Sequence, residues 1–122
     1  MRVLLSIKPD FVDKVFSGEK KYEFRRVIFK KPEVNTVVVY ASTPVKKVIG
    51  EFSIKNIIFD EIGSLWKRTK QFSGISEDFF YQYFNEKDFG YAIEIGKIEK
   101  YNKALSLKDH FNVSPPQSFM YL

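Results

Sequence analysis

Two stretches of this chain keep the two-residue period of a β-strand unusually long and then change phase. In residues 47–60, Val48, Gly50, Phe52 and Ile54 fall on one face, but Ile57 and Phe59 fall on the other. In residues 89–101, Tyr91, Ile93 and Ile95 share a face that Ile98 does not, and Gly96 stands next to the slip. Successive side chains of a strand point to opposite faces, so a slip inside one strand calls for a bulge. A bulge or bend near Lys55-Asn56, and another beside Gly96, restores the phase. Long strands that bend in this way are what a small curled barrel needs.

The other elements fit around that pair. Val3, Leu5 and Ile7 alternate, which predicts a strand over residues 2–8. Pro9 suits the first position of a helix whose apolar face is Phe11, Val12, Val15 and Phe16, and Gly18 stops it as a left-handed residue. Tyr22 and Phe24 alternate with Lys21, Glu23 and Arg25, predicting a half-buried strand. Residues 35–42 read as a strand buried on both faces. Leu65, Thr69 and Phe72 mark the packed stripe of a short helix, with Trp66 off it. Ser76 is expected to cap a second helix, with Ile75 stapled to Phe80 and with Tyr83 and Phe84 packed. Ser106-Leu107-Lys108-Asp109 resembles a capping box, with His110 at the end of that short helix, and the apolar tail from Pro115 to Leu122 is expected to dock on the body. The order β-α-β-β-β-α-α-β-α-(β) is α+β. At 122 residues, with no linker-like stretch, one domain over 1–122 is expected.

Cys 0 removes disulfides, thiol catalysis and cysteine metal sites, and the one His, His110, argues against a histidine metal cluster or a serine–histidine triad. No metal and no cofactor is expected. The first apolar run is too short for a signal peptide core, and no stretch approaches a membrane span, so a cytoplasmic protein without a membrane partner is expected. Charge is unevenly placed. Residues 1–50 hold 11 Lys/Arg and 5 Asp/Glu, against 9 and 10 in the remainder. A basic half favours an anionic partner such as nucleic acid or a phosphorylated small molecule, while the plain alternative is a solvated lysine-rich surface.

The densest polar cluster is Gly18-Glu19-Lys20-Lys21-Tyr22-Glu23-Phe24-Arg25-Arg26. Glu23 and Arg25 are two apart and share a strand face, where they can form a charge-assisted pair. Lys20 has the wrong parity and joins them only if the Gly18 turn or a bulge precedes the strand. A carboxylate that close is expected to outweigh burial and keep Lys20 charged. The competing view is an edge strand whose cations discourage edge pairing.

Gly18-x-Lys20-x-x-Glu23-x-Arg25 matches, at all four positions, the G-x-K-x-x-E-x-R signature of ASCH domains, small relatives of the PUA fold. Ser6-Ile7-Lys8-Pro9, the Tyr40-to-Glu51 segment and Pro115-Pro116-Gln117-Ser118-Phe119 also resemble that family, so the likeness spans nearly the whole chain. The resemblance implies a PUA-like small mixed or antiparallel β-barrel with short flanking helices and a cleft beside the signature. It implies binding of RNA or a nucleotide-like ligand there. Candidate contacts are Ser6, Lys8, Lys20, Glu23, Arg25, Arg26, Ser42, Thr43, Lys46, Lys47, Gln117 and Ser118. The alternative is a hydrolase in the same cleft with Lys20 and Glu23 as catalytic candidates. One family branch opens an acyl amide of acetylated cytidine with a lysine and a threonine; Glu23 stands at the threonine position, which argues against that mechanism. Another branch acts as a nuclease. A protein-interaction module is the third class, and would show an exposed apolar patch larger than the cleft.

Overall fold

The alternation of Val3, Leu5 and Ile7 becomes β1 (Arg2–Ile7) in a computed structural model that describes residues 1–122. Pro9 opens α1 (Pro9–Ser17), and Gly18 closes it at φ 85, its N–H donating to the Val15 carbonyl. Then come β2 (Tyr22–Arg25), β3 (Thr36–Ala41), β4 (Lys47–Glu61), α2 (Ile62–Thr69), a 3-10 turn (Lys70–Phe72), α3 (Glu77–Tyr83), β5 (Phe89–Leu105), α4 (Leu107–Phe111) and β6 (Phe119–Tyr121). The Ser76 hydroxyl accepts from the Phe79 N–H and the Ser106 hydroxyl from the Asp109 N–H, caps worth about 1 kcal/mol each.

The strands form one mixed sheet in the order β2-β5-β4-β3-β1-β6, parallel only between β1 and β3. Both phase slips are bulges. Phe52 opposes Ile98 and Ile54 opposes Ile95, so Gly96-Lys97 faces the single residue Ser53. Asn56 then opposes Glu94, which leaves Lys55 as the extra residue on β4. Gly96 is needed there: an added Cβ would lie 2.5 Å from the Ser53 hydroxyl oxygen, which accepts from the Lys97 N–H at 2.8 Å. The bulges curl the sheet into a half-barrel with short helices at its flanks, a PUA-like α+β fold.

Apolar layers fill both sides. Val3, Leu5, Ile7, Val37, Val39, Phe52 and Ile93 meet Val12 and Val15 of α1 on the inner face. Phe24, Ile58 and Ala92 meet Ile62, Leu65, Phe80 and Phe84 on the outer face under α2 and α3. Leu4, Val38, Tyr40 and Val48 pack on Leu107 of α4. Trp66 is half-buried, its ring 5.0 Å from Phe80. The apolar tail docks as β6 on β1. No helix is long and apolar enough to cross a membrane.

Two expectations fail. Phe72 is 40% exposed and does not extend the Leu65/Thr69 stripe. The helix ends at Thr69 and tightens into the 3-10 turn, which rotates Phe72 out of register, under the Lys21 ammonium at 4.4 Å. Nor is β2 half-buried: Glu23, Phe24 and Arg25 are all buried although β2 is an edge strand.

Candidate functional site

The burial of β2 follows from what faces it. The sheet's other edge, carrying β1 and β6, curls round to the same seam, and no ladder joins the two edges. Arg25 spans the gap instead. Its guanidinium donates to Glu23 Oε2 at 3.2 Å, to the Ser6 carbonyl at 3.4 Å, and to the Ser118 carbonyl and hydroxyl at 3.0 and 3.1 Å. The Ser6 hydroxyl donates to the Pro116 carbonyl at 2.7 Å, tying the tail to the end of β1. The i, i+2 spacing puts Glu23 and Arg25 on one face, and the seam desolvates both.

Lys20 joins them because it precedes the strand, after the Gly18 turn. It is 2% exposed. Its Nζ donates to the Ser73 carbonyl at 2.7 Å and lies 4.9 Å from the Phe24 ring and 5.3 Å from the Phe11 ring. Gly74, at φ +68, packs on the lysine stem, where an added Cβ would come within 2.6 Å of Lys20 Cβ. Lys14 Nζ donates to the Gly74 carbonyl at 3.1 Å, fastening that loop from the other side.

At Lys20 burial outweighs the carboxylate, the reverse of the expected order, although the amine still carries its charge at pH 7 for the most part. Burial pushes its pKa from 10.5 down to about 8, the Glu23 charge opposing and Lys14 adding to the fall. The carboxylate loses because its ion pair is with Arg25, not Lys20. The unfolded chain therefore binds more protons than the folded one between pH 8 and 10.5. The penalty is fully present below about pH 8 and fades as pH rises towards 10.5, and it amounts to about 3 kcal/mol. Linkage fixes how the comparison with Lys20→Met moves with pH: the variant is expected to gain about 2–3 kcal/mol relative to wild type at pH 7 compared with pH 10, on top of the pH-independent loss of the bond to the Ser73 carbonyl. Urea denaturation at pH 7 and pH 10 measures it, and a wild-type-to-variant difference that does not change between the two pH values contradicts the account.

The Tyr83 phenol, on the facing wall, is pushed up by burial, with Arg25 opposing and Glu23 reinforcing, so it keeps its proton. The seam opens into a cleft of about 460 Å³. Of the residues expected there, Ser6, Lys8, Lys20, Glu23, Arg25, Arg26, Gln117 and Ser118 line it. Ser42, Thr43, Lys46 and Lys47 do not. They belong to the β3–β4 turn and the start of β4, and β1 stands between β3 and the seam. Lys46 instead borders a separate recess with Tyr40 and Lys108. Sequence reasoning missed Phe79, Tyr83 and Lys87, brought in by α3 and the turn after it. Nothing local marks them, because only the docking of α3 on β2 points them at the seam. The lining carries five basic residues (Lys8, Lys20, Arg25, Arg26, Lys87) and one acidic, Glu23.

The mixed six-stranded half-barrel with its short flanking helices places the chain among PUA-like α+β proteins. The crystal structure of ASCH from Zymomonas mobilis superposes with a TM-score of 0.91 at 29% identity, covering 99% of this chain and 87% of that one. The ASCH domain-containing ribonuclease of Zymomonas mobilis subsp. mobilis is 30% identical over 122 residues, 98% of this chain and 82% of that protein. The chain belongs to the ASCH-domain family. Segments of two Ureaplasma parvum serovar 3 proteins are also similar. ATP synthase subunit alpha is 33% identical over 122 residues and large ribosomal subunit protein uL22 30% over 124. This chain spans 15% and 39% of their lengths. No protein-family model matches the chain.

Proposed function

We propose that the cleft binds a nucleotide unit of single-stranded RNA. One observation carries the reading: a cleft of about 460 Å³, rich in cations and walled by Phe11, Phe79 and Tyr83, encloses a buried Glu23–Arg25 pair. That volume suits one small ligand. Lys8, Arg26 and Lys87 are exposed at its rim, where phosphates need cations, and aromatic walls offer faces to a base. Two relatives bear names, ribonuclease and large ribosomal subunit protein, that support an RNA-related role. Affinity for a short single-stranded RNA is expected to fall linearly on a log–log plot against salt. Arg26→Ala and Lys87→Ala should each flatten that slope by roughly 1. Affinity independent of salt would contradict the electrostatic part.

A second reading, ribonuclease, is favoured by Lys20. An amine with a pKa of about 8 inside the cleft can take up and release protons near neutral pH. Its neutral form would accept the proton of a ribose 2′-hydroxyl as that oxygen bonds to the adjacent phosphorus and the phosphorus–5′-oxygen bond breaks, the departing oxygen taking a proton from water and a 2′,3′-cyclic phosphate remaining. Glu23, engaged by Arg25, would hold the floor and not serve as the base. Of the two hydrolase alternatives, phosphodiester cleavage is preferred to amide hydrolysis because Glu23 stands where the latter needs a threonine.

A further inference from the structure

Beyond the cleft, the sheet carries an uncovered aromatic platform. Phe59 is 56% exposed and Phe89 46%. Their rings stack at 5.3 Å with an 18° tilt, and the Tyr91 ring lies 4.7 Å from Phe59. Contiguous aromatic side chains this exposed are unusual away from a binding surface. The register says where the platform points. Arg25 pairs with Tyr91 across β2 and β5, and Tyr91 pairs with Phe59 across β5 and β4. Residues directly opposite one another project to the same face, so Arg25, Tyr91 and Phe59 form one row running out from the cleft. At roughly 5 Å per strand the row spans roughly 10 Å. Cleft-lining Lys87 lies two residues before Phe89, and Arg26 follows Arg25, so cations stand at the junction. Glu61, opposite Phe89 and exposed, keeps the far end from being cationic.

We propose that Tyr91, Phe59 and Phe89 form a second subsite that stacks bases of single-stranded RNA leaving the cleft, so that the protein reads several nucleotides. The inference rests on the cleft reading above. The occupant follows from continuity: a chain gripped by its phosphates at Arg26 and Lys87 next meets flat aromatic faces without cations, which suit bases and not phosphates.

The test measures binding of two probes, uridine 5′-monophosphate and a 2′-O-methyl hexauridylate that resists cleavage through the 2′-position. The double variant Phe59→Ala/Phe89→Ala removes exposed rings and should keep the fold, as a thermal melt verifies. It is expected to weaken hexamer binding by roughly tenfold or more. Monophosphate binding and the hexamer's salt slope should stay as in wild type, and Phe59→Trp should restore or exceed wild-type affinity. Hexamer affinity unchanged in the double variant overturns the platform while leaving the cleft reading intact. So does a wild-type dimer that the double variant dissolves, which would make the patch a self-association surface. A wild type that binds neither probe overturns the cleft reading and the platform with it.

Discussion

If the cleft is a ribonuclease site, Lys20→Arg is expected to slow cleavage of a single-stranded RNA by roughly 100-fold or more, with affinity for the same RNA within about threefold of wild type. Arginine keeps the positive charge but does not give up its proton near neutral pH, so it separates holding an anion from moving a proton. Lysine at this position is suited to proton transfer because burial against Phe11 and Phe24 has lowered its pKa to about 8. The wild-type rate should therefore rise tenfold per pH unit up to about 8 and then level, as the neutral amine becomes the major form. Lys20→Met, its fold checked by a thermal melt, supplies a control without the amine and should be equally slow. Wild-type cleavage by Lys20→Arg, or a rate that falls as pH rises through 8, would assign Lys20 to anion holding and leave the binding reading alone.

Arg25→Ala is expected to destabilise the fold by about 3–5 kcal/mol, the usual consequence of removing one partner of a buried ion pair. Three things go at once. Glu23 keeps a carboxylate in a site only 6% exposed with no cation touching it. The Ser6 and Ser118 carbonyls lose donors, and the seam between β2 and β6 loses the side chain that spans it. At this chain length the melting temperature should fall by roughly 10–20 °C. The double variant Glu23→Gln/Arg25→Ala should recover at least about 1 kcal/mol, because the stranded charge is then gone. A double variant no more stable than Arg25→Ala would show that the loss comes from the seam contacts and not from Glu23.

Bulge positions are local properties of a two-residue period, so the slips at Lys55 and Gly96 could be read directly from the order of apolar residues. The same holds for Gly18 as a helix stop, for Ser76 and Ser106 as caps, and for the shared face of Glu23 and Arg25. The chemical letters of the signature were legible too. What those letters do was decided by the tertiary structure. Lys46 and Lys47 resemble phosphate contacts in the sequence, yet β1 intervenes between their turn and the seam, a consequence of strand order and not of composition. Phe79, Tyr83 and Lys87 read as ordinary helix and loop residues, and become cleft wall only because α3 docks on Phe24 and turns them inward. Spacing alone set Lys20 beside a carboxylate and favoured a raised pKa. Burial by Phe11, Phe24 and Gly74, residues up to 54 positions away in the chain, reversed the direction. Spacing fixes which groups can share a face, whereas solvent exclusion depends on distant segments meeting, and it is solvent exclusion that sets the chemistry of the lysine.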